Sequence, residues 1–258
     1  MARTATVNYH VHKAERQAFE LDAGGVVGTL ISPELAPTHV HLTDLRGSAS
    51  DVRFEQDAVE FVTLPSSVNA FTSDHWQKTY DRELTQFLTN RLNTREVVIF
   101  DHTMREDNPD ATRKPARNVH SDYSEDGAKQ RLVSLLGADR AKEWSDGHYA
   151  FINIWRPVEA VINSAPLGFV RPSTVDPTDW ILLDLIYPDR KGQFMGLAGN
   201  PGHEWLYQSK MTPQEIAFFN IYDNRGLPSI ALSALDMVED PNVTTIRKSI
   251  ESRTLVRY

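Results

Sequence analysis

The sequence predicts a mainly β chain with flanking helices, an antiparallel barrel or sandwich carrying its helices on one side. Three observations carry that expectation. Segments of strand character crowd the second half, at 167–170, 180–187, 204–208, 216–222, 228–235 and 246–256. Two stretches of helical periodicity, 74–92 and 125–136, lie in the first half. Many short strands therefore come after a first half that holds the helices, which suggests an antiparallel barrel or sandwich with helices packed on one side.

The elements follow in order. Between residues 4 and 70 lie short β-like pieces at 6–11, 40–46 and 60–64, separated by Gly and Pro turns. From Ser73 the apolar residues Trp76, Tyr80, Leu84, Phe87 and Leu88 recur at three and four, giving a helix over 74–92 with Ser73 or Asp74 as its cap. The run 96–101 is strongly apolar and is expected as a strand buried on both faces. Residues 103–118 read as a polar loop, either solvated or able to cover a substrate. Ser124 caps a helix over 125–136 that Gly137 ends, with Ala128, Leu132, Leu135 and Leu136 as its inner stripe. Pro157 limits a strand over 151–156, and Thr212-Pro213-Gln214-Glu215 fits a capping box opening a brief helical turn.

At 258 residues the chain is expected as a single domain, with N-terminal strands and a helix over 1–95 and a barrel core over 96–258. The 27 Lys and Arg are outnumbered by 35 Asp and Glu, so no cationic surface for nucleic acid is expected. The absence of Cys excludes disulfides, thiolate metal sites and a Cys nucleophile. No run approaches the ~20 apolar residues of a membrane span, and the N-terminus lacks a secretory pattern, so a cytoplasmic protein is expected.

Two stretches carry chemistry. In Asn118-Val119-His120-Ser121-Asp122-Tyr123-Ser124, read as a strand, His120 and Asp122 point to one side, about 7 Å apart along the chain. Such a pair can hold a divalent metal or can be an ordinary surface pair. In the C-terminal strand Arg247, Ser249, Glu251 and Arg253 share a face. An Arg with a Ser two residues on can bind one end of a dicarboxylate; the other reading is an exposed edge strand with paired charges.

Together these stretches resemble the non-haem Fe(II)/2-oxoglutarate-dependent oxygenases. Within them the chain is similar to the hydroxylase/desaturase family of fungal secondary-metabolite oxygenases and relatives of the cephalosporin 7-methoxylase accessory protein. Seven motifs stand in that family's order: Val98-Ile99-Phe100-Asp101-His102, His120-Ser121-Asp122-Tyr123-Ser124, Asn153-Ile154-Trp155-Arg156-Pro157, Pro166-Leu167, His203-Glu204-Trp205-Leu206-Tyr207, Met211-Thr212-Pro213-Gln214-Glu215 with Tyr222-Asp223, and residues 247–253. The resemblance runs from about residue 95 to the end, with a weaker echo before it.

What the resemblance implies is a double-stranded β-helix, the jelly-roll or cupin-like oxygenase fold, with iron on a two-His, one-carboxylate triad and 2-oxoglutarate as co-substrate. Decarboxylation of the co-substrate would lead to hydrogen abstraction from a small molecule. His120 and Asp122 match the first two metal ligands, and Arg247 with Ser249 the anchor for the distal carboxylate. The family's distal His falls at Leu232, which cannot ligate a metal. His203 is the one substitute in the second half, and its motif favours a structural role or one behind the ligands. Trp155 and Arg156 are expected either beside the co-substrate or in the core. Tyr123 and Tyr207 are expected in packing or lining the pocket, and His102 and His148 in the framework.

The expected function is Fe(II)/2-oxoglutarate-dependent hydroxylation or desaturation of a secondary metabolite. The alternative is an impaired paralogue supporting an active homologue, as a heterodimer, with a homodimer equally open. A metal-free β-sandwich binding protein is the third reading.

Overall fold

The computed structural model describes residues 3–20, 33–47, 52–186, 188 and 191–258. In chain order they form β1 (Arg3–His10), β2 (Gln17–Glu20), β3 (Leu35–Asp44), α1 (Phe54–Asp57), β4 (Val59–Thr63), α2 (Trp76–Leu92), β5 (Glu96–Glu106), β6 (His120–Ser121), α3 (Glu125–Leu136) and α4 (Ala138–Ser145). There follow β7 (Tyr149–Pro157), β8 (Leu167–Val170), β9 (Trp180–Ile186), β10 (Lys191–Leu197), β11 (Trp205–Tyr207), β12 (Glu215–Asp223), β13 (Ala231–Ala234) and β14 (Lys248–Arg257).

Two sheets contain these strands, ordered β4-β12-β7-β14-β5 and β1-β3-β11-β8-β13-β6-β10-β9-β2. The block β12-β7-β14-β5 and the block β11-β8-β13-β6 are antiparallel throughout. From β5 to β8 the chain changes sheet at every strand, and it does so again from β11 to β14. That alternation is a double-stranded β-helix, the jelly roll.

Period-two alternation in β7 shows how one strand serves two cores. Phe151 and Trp155 pack between the sheets with Phe169, Phe219 and Leu232, whereas Ile152 and Ile154 face Tyr80, Leu84 and Leu88 of α2. The nine-stranded sheet curls until β1 meets the segment before β6: Val119 N donates to Asn8 O at 2.9 Å, and Asp236 N to Thr6 O at 2.9 Å. Val7, Tyr9, Val119, Leu197, Trp205 and Leu235 form a third cluster within that curl.

Several expectations change. The helix at 76–92 is present, but His75 precedes it with φ 67° and no side-chain cap, so neither Ser73 nor Asp74 caps it. Strand β5 runs to Glu106 at a sheet edge, paired only with β14. It is therefore half-buried along most of its length, and the polar loop begins after it. Strand β14 is central, not an exposed edge. No helical turn forms at Thr212; Glu215 Oε2 accepts from Thr212 N at 2.9 Å in a turn that leads into β12. Helix α4 and strand β10 are additions: Gly137 ends one helix and opens the next, and Gly192 and Gly196 interrupt the apolar pattern of β10. Tyr187, the last residue of the expected strand 180–187, lies outside the described residues. Among the described residues no helix is long and apolar enough to cross a membrane.

Helix α3 matches its expected bounds, and Ser124 Oγ accepts from Gly127 N at 3.0 Å. Ser124→Ala should lower the unfolding free energy by about 1 kcal/mol. Urea denaturation reads this as a fall in midpoint at constant m-value; an unchanged midpoint would remove the cap from any stabilising role.

Candidate functional site

Strand β6 is two residues long and ends before Asp122, so the His120/Asp122 pair sits at a strand end and not within a strand as expected. Backbone geometry still turns both side chains to one place. His120 Nδ1 lies 2.8 Å from Asn118 O; a carbonyl only accepts, so Nδ1 carries the proton and Nε2 presents its lone pair. Asp122 Oδ1 stands 3.5 Å from that Nε2. Donors so spaced can both reach one ion at bond lengths of about 2.0–2.2 Å.

The other oxygen of Asp122 is fixed. Oδ2 accepts from Asn153 Nδ2 at 2.9 Å and from Arg253 Nε at 3.0 Å. Burial opposes ionisation of this carboxyl, but the charge of Arg253 outweighs it and holds the group well below the usual carboxylate range. Arg253 also pairs with Asp101 at 2.6 Å and with Glu251 at 2.7 Å, so one half-buried guanidinium gathers three carboxylates.

Opposite His120 stands Leu232, its register partner across β6 and β13. Leu232 is 4% exposed and lines the same cavity as His120 and Asp122. Among the described residues no group of three His, Asp or Glu side chains is placed to hold a metal. Two ligand-type side chains and an apolar third therefore meet here.

The polar end of the cavity is built by β14. Alternation puts Ser249, Glu251 and Arg253 on one face, cross-strand from Pro157, Trp155 and Asn153 of β7. Arg247 is buried with Nε and one terminal nitrogen unpartnered, and Ser249 Oγ is buried and unpartnered too. The Arg247 guanidinium lies 5.3 Å from the centre of the Trp155 ring. Burial, then the neighbouring Arg105, bring Arg247 down to about 9, so it stays cationic at neutral pH. Buried donors without acceptors are costly unless an anion meets them; a carboxylate fits this donor set, a guanidinium fork beside a hydroxyl. The enclosed space is about 20 Å³ and also touches Leu167, Ala116 and Ala234.

His120, Asp122, Arg247, Trp155 and Leu232 thus line one cavity, and Ser249 shares the β14 face of Glu251 and Arg253, which line it too. Arg156 does not: strand parity points it to the α2 side, where Nε donates to Tyr80 Oη at 2.9 Å and a terminal nitrogen to Pro213 O at 2.6 Å. His203 lies just before β11, its ring nitrogens 2.9 Å from Tyr9 Oη and 3.1 Å from Asp179 Oδ2, which gives it a framework role away from the cavity. Tyr123 packs on Phe151 at 5.0 Å between centroids; burial and the charge of Asp122 push its hydroxyl up to about 12. Tyr207 is buried in the third cluster, away from the cavity. His102 is held by Ser252 and Asp81, and His148 by Asp223. Asn153 and Arg105 were not anticipated in the site; the parity of β7 would have placed Asn153 beside Trp155.

The family described as oxidoreductase/YMDC permease-like domain matches residues 7–257. The hydroxylase/desaturase efuI of Hormonema carpetanum is 28% identical, with 97% of this chain and 93% of that protein covered. The hydroxylase/desaturase CTB9 of Cercospora beticola is 26% identical, with 86% and 78% covered. Among solved structures, an iron and alpha-ketoglutarate-dependent endoperoxidase, NvfI, shares the fold at a TM-score of 0.86 and 20% identity, over 99% of this chain and 97% of that one.

Proposed function

Because the chain belongs to the oxidoreductase/YMDC permease-like domain family, we propose that it is a non-haem Fe(II)/2-oxoglutarate-type oxygenase of secondary metabolism, acting on a small molecule by hydroxylation or desaturation. The observation that carries this reading is the pair of orphaned donors on Arg247, which lines the same cavity as His120 and Asp122, with the unpartnered hydroxyl of Ser249 two residues on. His120 and Asp122 would hold the metal, and Arg247 and Ser249 the distal carboxylate of the co-substrate. Bound together, iron and 2-oxoglutarate supply the activation of O2 needed to take a hydrogen from an unactivated carbon.

The chain's own residues prepare that chemistry. Asn118 O fixes the His120 tautomer so that its lone pair faces the cavity. Asn153 and Arg253 hold Asp122 by one oxygen and leave the other toward His120. Trp155 packs against the Arg247 guanidinium, and Leu167 and Leu232 keep the wall apolar, which strengthens the charged contacts inside.

Anaerobic titration with Fe(II) and then 2-oxoglutarate tests the assignment. Each should bind; His120→Ala should weaken the metal and Arg247→Ala the co-substrate, the latter by about tenfold or more, the worth of a charge-assisted hydrogen bond. Binding that neither substitution weakens would sink the assignment. Leu232 opposite His120 favours a second reading, a supporting subunit for a homologue with a full triad. Co-purification with such a homologue supports it, whereas 2-oxoglutarate decarboxylation by the isolated chain counts against it.

A further inference from the structure

We propose that Arg105 is a second guanidinium in the carboxylate pocket, acting with Arg247 and Ser249 to select a dicarboxylate co-substrate over a monocarboxylate; this rests on the co-substrate reading above. Arg105 of β5 stands directly opposite Ser249 of β14, so their side chains are neighbours on one face of the sheet. Arg105 and Arg247 line the same cavity.

Nearby arginines have their counter-ions. Arg253 is bound by Asp101, Asp122 and Glu251, and Arg117 by both oxygens of Asp107, at 2.9 and 3.0 Å. Among the described residues Arg105 and Arg247 make no ion pair. Arg105 gives one hydrogen bond, to Lys114 O at 2.9 Å, and two nitrogens of Arg247 give none.

Two like charges lining one cavity, Arg247 buried and Arg105 half-buried, are unfavourable alone. Burial lowers the affinity of each for its proton, and the charge of Arg105 lowers that of Arg247 further. A carboxylate beside Ser249 would relieve both, accepting from two guanidiniums and a hydroxyl. A 2-oxo acid without a distal carboxylate brings nothing to that end of the cavity. Discrimination between the two ligands therefore falls to this pair of arginines.

The test is anaerobic calorimetry on the full chain with saturating Fe(II), using 2-oxoglutarate and 2-oxopentanoate, on the parent, Arg105→Gln and Arg247→Gln. Arg105→Gln should weaken 2-oxoglutarate by about tenfold or more, as loss of a charge-assisted bond does, and leave 2-oxopentanoate unchanged. If it weakens both acids equally, Arg105 acts only by holding the Lys114 segment and the inference is overturned. If Arg247→Gln weakens 2-oxoglutarate and Arg105→Gln does not, the inference falls while the co-substrate reading stands. If the parent binds neither acid, both fall.

Discussion

Leu232→His raises Fe(II) affinity by at least about tenfold. Residues that merely orient a ligand are worth roughly 10–100-fold in metal affinity, so a direct ligand is worth no less. Leu232 pairs in register with His120 and shares its cavity with Asp122; an imidazole there stands on the strand face that already carries one. The exchange places a polar ring in an apolar wall, so the metal-free variant should be less stable than the parent. Fe(II) should then raise the melting temperature of the variant more than that of the parent, because only binding to the folded state adds stability. Competition with a chelator under anaerobic conditions measures the affinity. An unchanged value would mean that position 232 is not the third ligand place.

Arg253→Met lowers the unfolding free energy by about 3 kcal/mol at neutral pH, the low end of the cost of removing one partner of a buried ion pair, since Arg253 is 19% exposed. Methionine keeps most of the volume, so the loss reports charge and not a cavity. Asp101, Asp122 and Glu251 all lose their shared cation. The sign of the pH effect follows from Asp122. In the parent its folded-state pKa is depressed, so its stabilisation is present above the unfolded value and lost as pH falls. In the variant burial acts without Arg253, and the folded-state pKa rises. A group so raised adds stability only at low pH, and loses it as pH rises through the folded value. The deficit of the variant should therefore shrink between pH 7 and about pH 4. Urea denaturation at both ends of that range measures it, and an equal deficit at the two would show that these carboxylates do not depend on Arg253.

Particular residues show how far the sequence could be read. Helical spacing at Tyr80, Leu84 and Leu88 and the Ser124 cap are local signals, and both helices stand where those signals put them. That His120, Asp122 and Arg247 line one cavity could be anticipated only through motif order, since strand spacing cannot say which strands adjoin. Leu232 falls beside His120, where that order put it. Arg156 shows the cost of neglecting parity: beside Trp155 in sequence, it lies on the opposite face of β7. Arg253 was visible as an expensive charge on a polar face, but apart from Glu251 its partners come from β5 and from beyond β6, more than a hundred residues away. Arg105 was hidden because β5 continues into what composition makes look like a loop.

The curl that brings β1 against the segment before β6 bears on how the molecule assembles. Asn8 holds residue 118 across 110 positions, and Asp122 awaits Arg253 across 131. Contacts so distant in sequence must close long loops before any of them is rewarded, which slows folding relative to helical chains of the same length. During synthesis Asp122 is made long before its cation, so the carboxylate stays hydrated until β14 arrives. Closure of the last strand and completion of the charged cluster are then one cooperative event, and ribosome-bound chains halted before residue 253 should remain protease-sensitive around residues 118–122.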